Sequence, residues 1–165
     1  MREATVPRIG VTGHIGLSDD TTAIVADALR TELSRYPVEA LHGITCLAAG
    51  ADQLFARAVL DAGGTFEVVL PAPDYRDTVI RAAGRPEFDA LLAHATSVTY
   101  MPFAESGPHA YLAASLELLR RSELLFAVWD GTRTGRTGES GHVVAEARAR
   151  NLPVRVLWPA DAVHG

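Results

Sequence analysis

The chain has 165 residues, of which 48% are apolar and 21% are charged, and its formal net charge at pH 7 is -5. Length and apolar content predict one globular domain over residues 1–165, with a core large enough to fold alone. The net negative charge excludes nonspecific electrostatic binding to a nucleic-acid backbone, so no duplex nucleic-acid partner is expected.

Apolar spacing predicts strands and helices in alternation along the first half of the chain. Short runs rich in β-branched and aromatic residues indicate strands, and amphipathic spacing indicates helices between them. The predicted strands are 6–11, 44–48 and 66–70, and the predicted helices are 21–36 and 52–62.

The middle of the chain is less regular. PAPDYRDT, residues 71–78, begins a loop whose prolines forbid a continuing strand, and helical patterns follow at 79–83 and 87–93. The remaining predicted elements are strand 98–101, helix 111–121, strand 124–128, helix 141–150 and strand 154–158. This alternation predicts an α/β fold, a Rossmann-like three-layer α/β/α sandwich with a mostly parallel sheet.

Cellular location and inorganic ligands are constrained by what the sequence lacks. Cys46 has no second cysteine with which to form an intramolecular disulfide, which suits a reducing compartment. No apolar run approaches the roughly 20 residues that span a bilayer, and the N-terminus has no apolar signal segment. We therefore expect a cytoplasmic protein with no membrane partner. The six histidines are scattered without close ligand spacing, so neither a metal site nor a resident cofactor is predicted.

Three loops that follow predicted strands are polar and contain glycine. In open parallel sheets, ligands bind at the carboxyl ends of the strands, so these loops are expected to line one crevice. Their candidate ligand-binding residues are Gly13 and His14 in the first loop, Gly50, Ala51 and Asp52 in the second, and Asp130, Gly131, Gly135, Thr137, Gly138, Ser140 and Gly141 in the third.

Each loop also allows a purely structural interpretation. Gly13 permits close approach of the backbone to a ligand, and His14 either contacts that ligand or is a solvated loop residue. Asp52 either caps its helix or accepts a hydrogen bond from a ribose hydroxyl. The turn at 135–141 offers hydroxyls and a helix N-terminus to an anion, with a flexible surface turn as the alternative. Neither a Walker-type phosphate loop nor GxGxxG occurs, which excludes a standard triphosphatase or dinucleotide site.

Three segments together resemble the SLOG superfamily, a Rossmann-like group that includes the DNA-processing protein A type proteins and the LONELY GUY phosphoribohydrolases. They are VTGHIGL at 11–17, LAAGADQLFARAVLDAGG at 47–64, and WDG with GRTGESGHVVAEAR at 129–148. The similarity spans nearly the whole chain and is greatest to the stand-alone bacterial members. It implies a nucleotide or nucleotide-derived ligand, and a homodimer.

The third segment departs from the LONELY GUY pattern. Those enzymes carry PGGxGTxxE, in which the glycines and threonine hold phosphate and the glutamate serves the ribose chemistry. The turn here is GRTGESGHVVAE, whose Gly135, Thr137, Gly138 and Gly141 match the phosphate function. Because neither Glu139 nor Glu146 has the spacing of the motif's glutamate, the sequence favours a sensor or binding protein without turnover.

Two alternatives stay open. An enzyme that cleaves a nucleoside monophosphate or another N-glycoside, or that resembles a nucleoside deoxyribosyltransferase, needs a carboxylate and a group that helps the base depart. The candidate carboxylates are Asp130, Glu139 and Asp52, and His14 is the candidate acid. The other alternative is a protein-interaction module in which the crevice takes no ligand.

Overall fold

The computed structural model describes residues 6–132 and 139–162. Over these ranges strands and α-helices alternate as predicted. In chain order they are β1 (Arg8–Gly13), α1 (Asp19–Leu33), β2 (His42–Thr45), α2 (Ala51–Asp61), β3 (Thr65–Leu70), α3 (Tyr75–Thr78), α4 (Arg85–His94), β4 (Val98–Tyr100), α5 (Pro108–Arg121), β5 (Leu124–Val128), α6 (Ser140–Ala149) and β6 (Val154–Val156).

The strands form one sheet, and every pairing between described strands is parallel. The strand order is β4-β3-β2-β1-β5-β6, so the chain builds outward from β1 to β4 and then returns past β1 to place β5. The order therefore reverses between β1 and β5. These two strands are paired from Ile9 with Leu124 to Gly13 with Val128.

Helices cover both faces of the sheet, which confirms the predicted three-layer α/β/α sandwich. Ile9 and Phe126 pack in one core cluster with α1 and α2, and a neighbouring cluster continues along this face to α4. Ile44 and Leu125 point the other way, into a cluster with α5 and α6. β5 is buried on both sides, and it is a continuous apolar run in the sequence, LLFAV.

The segment after β3 differs from the prediction. The helix expected at 79–83 is wrong: α3 occupies Tyr75–Thr78, inside the predicted loop, and a 3-10 turn follows at Ala82–Gly84. The helix begins at Tyr75, before the predicted position, because Ser106 holds the preceding residue, Asp74. The Ser106 N–H and hydroxyl both donate to Asp74 Oδ1, at 2.8 and 2.7 Å. Arg81 is extended, with ψ of 146°, which prevents a continuous helix through this region.

The bounds of β1 and β2 also differ from the prediction. β1 begins at Arg8 and extends to Gly13, and β2 begins at His42 and ends at Thr45. Leu47, inside the strand predicted at 44–48, has a left-handed φ of 53° that a strand cannot contain. Within the described part of the chain, no helix is both long and apolar enough to cross a bilayer.

Candidate functional site

A cavity of about 300 Å³ lies at the carboxyl ends of β1, β2 and β3, on the face covered by α5 and α6. Its volume is at the lower end of the range for small-molecule binding sites, which is roughly 300–1,000 Å³. Each of the three predicted loop regions contributes one candidate residue to its wall: Gly13 at the end of β1, Asp52 in α2 and Ser140 at the start of α6. The cavity lies beside the β1–β5 reversal, where open parallel sheets bind their ligands.

Gly13 is required by the packing of the protein itself. A Cβ atom at this position would lie 2.5 Å from Cβ of Ala51 and 2.8 Å from the carbonyl oxygen of Val128. Both distances are shorter than real Cβ contacts, so only glycine lets the end of β1 approach α2 and β5 so closely. Gly13 also lines the cavity, with a φ outside the left-handed region.

His14 is not a solvated loop residue, because contacts hold both its backbone and its ring. Its N–H donates to the Val128 carbonyl and its own carbonyl accepts from the Ala51 N–H, each at 3.1 Å. Its ring packs edge-on against Trp158, with 5.3 Å between centroids. The side chain is only 10% exposed.

The His14 ring also joins the loops after β1 and β5. Nε2 accepts the backbone N–H of Asp130 at 3.1 Å and lies 3.1 Å from Asp130 Oδ1. The first contact requires a bare Nε2 and the second a protonated one, so they belong to different protonation states of the ring. Burial raises the pKa of Asp130, but hydrogen bonds from Thr132 and His14 outweigh it and lower the pKa to about 2. Asp130 is therefore ionised at neutral pH.

The turn between β2 and α2 is fastened by side chains. A left-handed non-glycine residue such as Leu47 costs of the order of 1–3 kcal/mol. Hydrogen bonds offset this strain: the Leu47 N–H donates to Thr45 Oγ1 at 3.0 Å, and Gln53 Nε2 donates to the Leu47 carbonyl at 3.1 Å. The next N–H, of Ala48, donates to Asp52 Oδ2 at 3.2 Å. Asp52 thus closes the turn from the first turn of α2.

Asp52 does not cap α2, because Gly50 is the N-cap residue and the helix has no side-chain cap. Gly50 has a φ of 111°, and a Cβ there would lie 2.6 Å from the carbonyl oxygen of His14. Asp52 itself is 8% exposed and lines the cavity. Burial raises its pKa to about 7, and the hydrogen bond from Ala48 lowers it only in part. The carboxyl group is therefore partly protonated at neutral pH.

The third predicted loop is described only at its two ends, because Gly135, Thr137 and Gly138 lie outside the described residues. At the first end, Asp130 Oδ1 accepts the N–H and the hydroxyl of Thr132, and Gly131 lies between them. The second end leads into α6, whose N-cap residue is Glu139. Ser140 begins this helix and lines the cavity, and Gly141 is buried in its first turn.

Several side chains that line the cavity were not predicted from the sequence, among them Cys46, Tyr75, Tyr111 and Ser115. Cys46 directly follows β2, at the ligand-binding edge of the sheet. Burial and the charge of Asp52 raise the pKa of its thiol, which keeps the thiol neutral. In contrast, His14 and Asp130 pair beside the cavity without lining it. Among the described residues, no group of three or more His, Cys, Asp or Glu side chains could hold a metal ion.

No protein-family model matches the chain, and no curated protein matches its sequence. Solved structures do match. DNA processing protein A from Streptococcus pneumoniae has a TM-score of 0.65 and 15% identity, covering 91% of this chain and 50% of that one. For DNA processing protein A from Helicobacter pylori the TM-score is 0.67 and the identity 13%, with coverages of 94% and 67%.

The molybdenum cofactor binding protein from Rippkaea orientalis matches with a TM-score of 0.55 and 15% identity, over 91% of this chain and 75% of that one. This chain spans half the length of the Streptococcus protein. At these identities the similarity shows the fold alone, and that fold agrees with the Rossmann-like sandwich that the sequence predicted.

Proposed function

We propose that this protein binds a nucleotide or a nucleotide-derived small molecule in the cavity and releases it unchanged, as a sensor or binding protein. The observation that carries the proposal is the convergence of Gly13, Asp52 and Ser140 on one cavity at the carboxyl edge of the sheet, from the end of β1, the first turn of α2 and the first turn of α6. A cavity in this position is the usual ligand site of an open parallel sheet.

The surroundings of the cavity suit the two halves of a nucleotide. The described residues that line it include no Lys or Arg, and apolar side chains such as Leu118 and Val143 form much of the wall. This part suits a base and sugar. Ser140 brings the first turn of α6 to the wall, where backbone N–H groups and the positive end of the helix dipole favour phosphate. The anion-binding turn at 135–141 is part of this proposal.

The structural neighbours support ligand binding without selecting the ligand. The Helicobacter protein is described for its binding of single-stranded DNA, and the Rippkaea protein for binding the molybdenum cofactor. A net charge of -5 disfavours the binding of a polyanion through contacts along its phosphate backbone. A small ligand that fits the cavity is therefore the better candidate for this chain.

Cleavage of an N-glycosidic bond is the second candidate, and Asp52 is the observation that favours it. A departing base needs a proton, which a carboxyl group with a pKa of about 7 can supply at neutral pH. Asp52 lines the cavity, whereas His14 and Asp130 do not, so Asp52 is better placed for this role. Glu139 remains a candidate only as the residue that precedes α6.

The test is incubation of the purified protein with nucleoside monophosphates and diphosphates, ADP-ribose and cyclic nucleotides, with thermal unfolding and product masses measured on the same samples. A ligand that raises the unfolding temperature and is recovered intact supports the binding protein. Release of free base makes the protein an N-glycoside-cleaving enzyme. If no member of the panel binds or reacts, the proposal fails and the interaction module is favoured.

The phosphate position is tested by Ser140→Asp. A carboxylate in the first turn of α6 interacts favourably with the helix dipole, so we expect the fold to be kept. The same charge repels a phosphate bound there, and the affinity should fall at least tenfold. Ser140→Asn is the matched control, since it has similar size without the charge and should bind within about threefold of the parent. Equal affinity of both variants would place phosphate elsewhere.

A further inference from the structure

Four titratable side chains meet in the cavity: Cys46 after β2, Asp52 of α2, Tyr75 of α3 and Tyr111 of α5. The rings of Tyr75 and Tyr111 are in edge contact, with centroids 6.4 Å apart. Burial raises the pKa of Tyr75, and the nearby Asp52, Cys46 and Tyr111 raise it further. The four groups therefore form one cluster, assembled from four separate elements.

Asp52 has unused hydrogen-bonding capacity inside this cluster. Its Oδ2 accepts the Ala48 N–H, whereas its Oδ1 has no hydrogen-bond partner among the described residues. The residue is 8% exposed and its side chain lines the cavity. A carboxylate can accept about four hydrogen bonds, and desolvating it without partners is costly. A donor inside the cavity would therefore be bound strongly.

The rest of the wall restricts what that donor can be. Pro71, Ala114, Leu118 and Val143 give the cavity apolar surfaces, which favour a flat, uncharged group over a hydrated ammonium ion. The hydroxyl groups of Tyr75, Tyr111 and Ser115 can supply or accept further hydrogen bonds. Apolar surfaces around one strong acceptor and several hydroxyls suit an aromatic heterocycle with polar edges.

We propose that this part of the cavity recognises the base of the ligand, a neutral aromatic nitrogen heterocycle that donates a ring or exocyclic N–H to Oδ1 of Asp52. The inference rests on the proposed function, since the base is taken to belong to a bound nucleotide. It makes Asp52 a specificity-determining residue: ligands with an N–H at this position bind, and those without one are rejected. It also assigns the base of the ligand, rather than a ribose hydroxyl, as the hydrogen-bond partner of Asp52.

Binding of an N–H donor favours the ionised carboxylate, so the affinity should rise with pH as Asp52 ionises, and a proton should be released on binding. The other titratable groups of the cluster are Cys46, Tyr75 and Tyr111. Burial raises the pKa of both Cys46 and Tyr75, so neither ionises near neutral pH. The pH dependence of recognition is thus assigned to Asp52.

The first experiment compares ligands that differ in a single N–H. Calorimetric titrations with AMP and purine riboside monophosphate, and with UMP and 3-methyl-UMP, are paired with the corresponding nucleosides and free bases. For the base class that binds, we expect loss of the N–H to weaken binding by about tenfold or more, the typical effect of losing a hydrogen bond to a charged group. Equal affinities within both pairs would overturn the inference.

The second experiment repeats these titrations between pH 6 and 8 with Asp52→Asn, and with Asp61→Asn as control. Asp61 is an exposed residue at the end of α2, so its variant should behave as the parent. Asp52→Asn should lose both the discrimination against the ligand that lacks the N–H and the dependence of affinity on pH. Unfolding temperatures and circular dichroism verify that both variants fold.

The two proposals fail in different ways. If nucleotides bind the parent but Asp52→Asn discriminates as well as the parent does, the assignment of the base is wrong and the proposed function stands. If free bases and nucleosides bind with the expected discrimination but a phosphate group does not increase the affinity, the base site stands and the nucleotide proposal fails. If neither nucleotides, nucleosides nor bases bind the parent, both are overturned.

Discussion

At the residue scale, the burial of Asp52, the residue proposed to recognise the ligand, also affects stability. Burial raises its pKa to about 7 in the folded protein, against about 3.9 for an unperturbed aspartate. Between these values the folded state binds more protons than the unfolded state. The contribution of Asp52 to the free energy of unfolding therefore falls as pH rises from about 4 to 7, and then levels off.

Asp52→Asn removes this pH dependence, while the amide oxygen can still accept the Ala48 N–H. Relative to the parent, we expect the variant to gain stability as pH rises, by more than about 1 kcal/mol between pH 5 and pH 8. Urea unfolding at both pH values measures the difference. A difference between variant and parent that is the same at pH 5 and pH 8 would show that Asp52 ionises normally in the folded state.

Gly13 is the second residue with a measurable structural role. Gly13→Ala forces a Cβ against Ala51 and the Val128 backbone, and backbone cannot move aside as a flexible side chain can. We expect a loss of about 1–3 kcal/mol in the free energy of unfolding, as for other overpacked sites. Gly84→Ala is the control, because the nearest atom to its Cβ would be 3.8 Å away. Equal stability of the two variants would contradict the tight packing of β1 on α2.

At the element scale, the sequence predicts elements well where local patterns determine them. β5 is a continuous apolar run buried on both sides, and its predicted bounds are those observed. The segment around α3 depends instead on the contact between Asp74 and Ser106, which are 32 residues apart. Contacts between residues so far apart in the chain leave no periodic pattern in the sequence. The helix predicted at 79–83 was wrong for this reason.

Asp74 should therefore control the order of α3, and with it the position of Tyr75 in the cavity wall. Asp74→Ala removes the acceptor for two donors of Ser106, and we expect a loss of about 1–3 kcal/mol in stability together with faster amide exchange over 75–79. Asp61→Ala, at the exposed end of α2, should change neither quantity. Unchanged exchange in Asp74→Ala would mean that α3 is held by its own packing.

At the scale of the whole molecule, topology explains which parts of the site could be predicted. A parallel sheet brings the loops after β1, β2 and β5 to one edge, so Gly13 at the end of β1 and Asp52 in the first turn of α2 could be expected to meet. Cys46, Tyr75 and Tyr111 come from three other positions in the chain, and no motif spacing connects them. Their convergence depends on how α3 and α5 pack over the sheet.

The most direct test of the central claim, that the cavity is the ligand site, is a calorimetric titration of Ser115→Phe with the nucleotide that stabilises the parent. Ser115 lines the cavity from α5, so the added ring should occupy the space for the ligand. His109→Phe introduces the same ring at an exposed position of the same helix that is not among the lining residues. We expect Ser115→Phe to fold but to bind the nucleotide at least a hundredfold more weakly, while His109→Phe binds it like the parent. Parent-like affinity in Ser115→Phe would contradict it.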